Sequence, residues 1–153
     1  MYNKIVVPLD GSALAESVLP HVESIAKGCG HPDVVFLRVV EPAEHVAGYY
    51  TVVQKDLKEV DKENTSEATK YLDDLVKRTQ WDGINIKSEV IMGRAFEDIV
   101  NYASDSDADL ITIATHGRSG VTRWVWGSVA DRVLRSSCVP ILMVRAPGCV
   151  PGI

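Results

Sequence analysis

The sequence predicts a single α/β domain: an open sheet of five parallel strands in the order 3-2-1-4-5, with helices on both faces. Three observations predict it. Short apolar runs alternate along the chain with longer segments whose apolar residues recur at helical spacing. The run from Val34 to Val40 is apolar almost throughout, as a central parallel strand covered on both faces must be. And 153 residues, 46% hydrophobic and 24% charged, are enough for one core without disulfide or metal staples.

The elements follow in order. Lys4-Ile5-Val6-Val7-Pro8 is the first strand, ended by Pro8 and Gly11. Ser12 can cap the next helix, its hydroxyl oxygen accepting from a free backbone N–H. Leu14, Val18, Val22, Ile25 and Ala26 give that helix an apolar face, and Gly28 and Gly30 stop it. Pro20 lies inside the pattern and predicts a kink or the loss of one hydrogen bond. After the second strand, Val34 to Val40, the chain from Glu41 to about Thr51 reads as a loop. A long polar helix then carries Leu57, Val60, Ala68, Tyr71, Leu72, Leu75 and Val76, with mixed charges forming a solvated face. Ile84 to Ile91 alternates apolar and polar as the third strand, and Gly93 turns the chain into a helix built on Ala95, Phe96, Ile99, Val100 and Ala103. Asp109 to Ala114 is the fourth strand. A helix from about Gly127 to Arg135 turns Val129, Val133 and Leu134 inward, and Pro140 to Val144 is the fifth strand. Residues 1–146 thus form one domain, and 147–153 a tail rich in Pro and Gly.

Charge and composition narrow the function. The net charge is −5 with no basic stripe, which argues against gripping nucleic acid by its phosphates. Arg118, Arg123, Arg132 and Arg135 do cluster, which suits a small anionic ligand better than a polyanion. Cys29, Cys138 and Cys149 are odd in number and lack ligand spacing, and the four histidines include no metal-binding pair. The opening run, Ile5-Val6-Val7, is too short for a signal peptide or membrane span, so a cytoplasmic protein without membrane contact is expected.

In open parallel sheets, ligands bind beyond the carboxyl ends of the strands where the strand order reverses, here after Val7 and after Ile113. The stretch after the fourth strand, Ala114 to Ser128, contains Gly117 and Gly127 and runs directly into a helix. Gly117 allows close approach of a ligand to the backbone. Gly127 and Ser128 would place free N–H groups at a helix N-terminus, where the helix dipole also favours an anion, and the Ser128 hydroxyl can donate to a phosphate oxygen. The segment therefore describes a phosphate cradle, although a glycine-containing turn can also be only a turn.

At this point the sequence resembles the universal stress protein family. Its glycine motif, G-x2-G-x9-G-[S/T], falls at the junction of the fourth strand and fourth helix, and Gly117, Gly127 and Ser128 match its last three fixed positions with Arg118 to Trp126 between. Ala114 stands where the first glycine would be, and its methyl would either crowd the ligand or require altered backbone angles. Val6 to Ser12, Leu37 to Val40, Gly93-Arg94-Ala95 with Ile99, and Val139 to Val144 are similar to the family's other segments, in the same order, and the internal Pro20 recurs there. The resemblance implies a Rossmann-like fold that binds ATP, with magnesium or manganese as an accompanying cation. Pro8, Leu9 and Asp10 would then face ribose and adenine, the Asp10 carboxylate accepting from ribose hydroxyls. Val39 would offer its backbone to the adenine edge, Ile113 and Ala114 would lie beneath the nucleotide, and Gly117, Gly127, Ser128 and Val129 would hold the phosphates. Read without the resemblance, Asp10 is a turn residue bonding its own backbone and Val39 is core.

His116 has no carboxylate placed by sequence to orient it as a base. Trp124 and Trp126 would share a face in extended chain, packing on the sheet end or against another subunit. Arg118 and Arg123 either neutralise phosphates or solvate the loop. The chain lacks GxxxxGK[ST], a kinase glycine loop and carboxylates set for magnesium. The expected function is therefore ATP binding in a regulatory or stress-response role, without efficient turnover. The alternatives are a slow ATP-hydrolysing enzyme on the same sheet and a nucleotide-free interaction module. A homodimer through the last strand, Pro140 to Val144, is expected in either binding role.

Overall fold

The computed structural model describes residues 2–46, 54–115 and 127–145. The strands are β1 (Lys4–Pro8), β2 (Asp33–Val40), β3 (Ile86–Met92), β4 (Leu110–Ala114) and β5 (Ile141–Val144). The helices are α1 (Ala13–Glu16), α2 (Leu19–Gly28), α3 (Ala43–Val46), α4 (Gln54–Arg78), α5 (Ala95–Asp105) and α6 (Ser128–Ser136). The sheet has five strands in the order β3-β2-β1-β4-β5, as expected. Every adjacent pair is parallel, with Ile5 opposite Val34 on one side of β1 and opposite Leu110 on the other.

Side chains alternate across the sheet because successive residues of a strand point to opposite faces. Ile5, Val7, Val34 and Phe36 pack beneath Val18, Val22 and Ala26 of the first helical segment and Leu72 and Leu75 of α4. Val6, Leu37, Ile111 and Ile113 face Ile99 and Ala103 of α5 and Ala130 and Val133 of α6. Phe36 is fully buried and meets Trp81 edge to face, ring centroids 6.2 Å apart at 87°.

Pro20 neither kinks a helix nor removes a bond from its interior. The helix expected from Ser12 divides into α1 and α2, and Pro20 falls in the first turn of α2, where an N–H would have no intrahelical partner. The segment after Glu41, read as a loop, contains the single turn of α3. Its first N–H, at Ala43, donates to Asp61 Oδ1 of α4 at 2.7 Å, a tertiary contact that local sequence does not display. Leu134, expected inward, is 43% exposed: the buried stripe of α6 is set by Ala130 and Val133, three apart, and Leu134 turns past it. Cys149 and the tail 147–153 lie outside the described residues, while Cys29 and Cys138 are free thiols.

The amino end of β1 is tied down by Asp109, just before β4. Its Oδ2 accepts from the N–H groups of Asn3 at 2.7 Å and Lys4 at 3.0 Å, and the Lys4 ammonium donates to the Ser106 carbonyl. The two backbone hydrogen bonds hold the Asp109 carboxyl below the ordinary carboxylate range. The stabilisation is therefore present above the unfolded value of about 3.9 and is lost as pH falls through the lower folded value.

Two outcomes follow for stability. Denaturant midpoints measured against pH should show Asp109→Asn at a constant deficit from wild type above about pH 5, narrowing below about pH 4. A deficit unchanged at acid pH would mean the capping bonds do not depend on the charge. Phe36→Ala should lower the unfolding free energy by about 3–5 kcal/mol in urea titrations.

Candidate functional site

Strand order reverses between β1 and β4, and a cavity of about 290 Å³ opens beyond their carboxyl ends. The end of β1 contributes Pro8 and Leu9, with Asp10 following; β2 contributes Val39; β4 contributes Ile113 and Ala114. The start of α6 closes the other side with Gly127, Ser128 and Val129. Residues far apart in the chain thus meet on one wall because parallel strands all end at the same edge of the sheet. Gly117, and with it His116, Arg118, Arg123, Trp124 and Trp126, lies outside the described residues.

The structure adds lining residues that sequence reasoning had assigned to the core or passed over. Leu37 joins Val39 on the same face of β2, and Ala95 and Ile99 of α5 complete an apolar slot. Ala95 and Ile99 were legible as an inward helical pair, four apart, but not as a wall of a cavity. Thr115 is 6% exposed at the end of β4 and also lines the space.

Asp10 sits where the chain leaves β1. Its Oδ1 accepts from the Ser12 N–H at 2.9 Å and from the Ser12 hydroxyl at 2.6 Å, while Ser12 Oγ caps α1 by accepting from the Ala15 N–H at 3.1 Å. The turn role is thus present in the structure. It does not compete with a place at the cavity, since Asp10 is also among the lining residues.

The first turn of α6 also lines the cavity. The Asp131 N–H donates to the Gly127 carbonyl at 3.0 Å, which begins the helix, so the N–H groups of Ser128, Val129 and Ala130 have no partner within it. The Gly127 N–H, expected to be free, donates to the Thr115 carbonyl at 2.6 Å. That bond joins the end of β4 to the start of α6. The donors available to an anion are therefore those of Ser128 to Ala130 rather than that of Gly127, and the helix dipole reinforces them.

Ala114 does not bear out the concern over its backbone. It ends β4 in extended conformation, paired with Val144, and has no positive φ. It is 7% exposed and belongs to the apolar layer that includes Leu9, Ala15 and Val144.

The cavity lining is therefore mostly apolar, with Asp10, Thr115 and Ser128 as its polar side chains and the N-terminal turn of α6 as part of its wall. Behind α1, Glu16 accepts from the Tyr71 hydroxyl at 2.9 Å and from Arg78 Nη2 at 2.8 and 2.9 Å. Burial first, then the Glu16 carboxylate, pushes the Tyr71 phenol above its ordinary range. Among the described residues no group of three or more His, Cys, Asp or Glu side chains is arranged to hold a metal ion, and no helix is long and apolar enough to cross a membrane.

Comparison with known proteins follows the same lines. The model of the Universal stress protein family matches residues 1–145. Universal stress protein MJ0577 of Methanocaldococcus jannaschii is 30% identical over 156 residues, covering 95% of this chain and 96% of that protein. The solved structure of MJ0577 matches with a TM-score of 0.85 and 29% identity, covering 97% of this chain and 99% of that one. Two more distant structures share the fold. A universal stress protein in complex with cAMP has a TM-score of 0.61 and 20% identity, covering 94% of this chain and 97% of that one. An Arabidopsis thaliana universal stress protein family member with AMP bound has a TM-score of 0.67 and 13% identity, covering 95% of this chain and 93% of that one.

Proposed function

The chain belongs to the universal stress protein family, and on that premise we propose that its cavity binds an adenine nucleotide, specifically ATP, in a regulatory or stress-response role without efficient turnover. The observation that carries the reading is the mixed lining of the cavity: apolar side chains that form a slot, together with Asp10 and the first turn of α6. A purine needs the slot, a ribose offers hydroxyl donors to a carboxylate, and phosphates are attracted to a helix N-terminus. The AMP and cAMP complexes of structural neighbours support the same ligand class.

In this reading Val39 offers its backbone to the adenine edge, with Leu37, Ala95 and Ile99 around the ring. Pro8, Leu9 and Asp10 flank the ribose, and Ile113 and Ala114 lie beneath the nucleotide. The N–H groups of Ser128 and Val129, with the Ser128 hydroxyl, receive phosphate oxygens; Gly127 gives them room, and Gly117 belongs to the same cradle. Magnesium or manganese would be held chiefly by the phosphates, since the described residues supply no acidic cluster for it. The cytoplasm, where ATP is plentiful, is the proposed location.

Mass spectrometry of nucleotide released from freshly purified protein, followed by equilibrium dialysis with labelled ATP, tests the proposal. ATP should be found, and Gly127→Val, which puts a branched side chain into the cavity wall, should weaken binding by at least about tenfold, the loss of one good contact to a charged group. No binding at millimolar ATP would overturn the reading.

The proposed assembly is a homodimer through β5. This strand lies at the edge of the sheet, with Ile141, Leu142 and Met143 only half-buried, and an open edge of that kind is a template for pairing. Light scattering at tens of micromolar should give twice the monomer mass; a monomer there would count against it.

A further inference from the structure

We propose that Arg38 is a positioning residue for the ribose end of the site: its guanidinium, laid against the Gly11 turn, sets the Asp10 carboxylate in the cavity wall. This rests on the nucleotide reading and adds to it a side chain outside the cavity lining.

Alternation along β2 separates the two roles. Leu37 and Val39 line the cavity, so Arg38 between them points to the opposite face, towards α1 and α4. The Leu9 N–H donates to the Leu37 carbonyl at 2.8 Å, tying the exit of β1 to β2 one residue before Arg38. The chain then turns through Gly11, whose φ is +84°, and passes over the guanidinium. A Cβ added at Gly11 would lie 2.5 Å from Arg38 Nη1, so turn and guanidinium are in close contact. Both the angle and the approach require glycine there.

On its other side the guanidinium faces the Tyr71 ring, 5.7 Å from Cζ to the centroid. Tyr71 is fixed in turn by its hydroxyl bond to Glu16, which Arg78 also grips. Arg38 is thus held between the Gly11 turn and a network joining α1 to α4. The planar group suits such a slot, where a lysine ammonium would fill less of it. A carboxylate on a short turn keeps its direction only if the turn is backed, and Arg38 backs it from the side away from the ligand.

Calorimetric titration of wild type, Arg38→Met and Arg38→Lys with ATP and with 2′,3′-dideoxy-ATP tests this. Wild type should prefer ATP. Arg38→Met, which keeps an unbranched stem, should weaken ATP by about tenfold while leaving the dideoxy analogue within about twofold, as expected if one hydrogen bond to a charged group is misaimed. Arg38→Lys should recover part of the preference. Equal weakening of both ligands, retention of the preference in Arg38→Met, or a wild type with no preference would each overturn the assignment. If Arg38→Met fails to fold by circular dichroism, Gly11→Ala, which drives a methyl into the guanidinium, should erase the preference instead; its retention there would overturn the assignment too. A wild type that binds neither ligand sinks the nucleotide reading itself, an outcome distinct from a wild type that prefers ATP alongside a variant that still does.

Discussion

The structure depends on the double pairing of β1. Its backbone bonds to β2 on one edge and β4 on the other, while Ile5, Val6 and Val7 are fully buried between helices on both faces. A position paired on both edges and covered on both faces satisfies its polar backbone and its apolar side chains at once. With β1 central, the chain builds outward first to β2 and β3, then returns to place β4 and β5 on the far side. That reversal opens the crevice between the strand ends, so the cavity is a consequence of the topology rather than a feature added to it.

The chemistry of the cavity follows from what parallel packing leaves exposed. Strand ends present backbone and a turn, here the Asp10 turn, and the next helix presents N–H groups that have no partner within the helix. The Gly127 to Thr115 hydrogen bond fixes how far α6 stands from β4. With the Gly127 N–H already bonded, the first-turn donors of α6 begin at Ser128. A carboxylate residue and a helix N-terminus in one lining favour a ligand that carries both hydrogen-bond donors and an anionic group.

Much of the fold was legible in the sequence. Strand existence, order of elements and the two-faced burial of the sheet came from apolar runs and their periodicity, and most boundaries moved by a residue or two. The departures share one cause. Pro20 was read against a single continuous helix, but a proline is comfortable in a first turn, and only the break between α1 and α2 supplies one. The α3 turn is capped by Asp61 from α4, eighteen residues away in sequence. Leu134 satisfied a helical pattern, yet the inner stripe of α6 was narrower than the pattern allowed.

By itself the sequence determined the α/β class, the strands, the glycine-bearing segment before α6 and the residues at the strand ends, because local periodicity and spacing encode them. The tertiary structure alone decided that Leu37, Ala95, Ile99 and Thr115 share the cavity, that the Gly127 N–H is spent on Thr115, and that Arg38 lies behind the Asp10 turn. These are contacts between segments distant in the chain. Which side of a strand faces a ligand, and which donor is already bonded, depends on what packs opposite, and no local pattern carries that information.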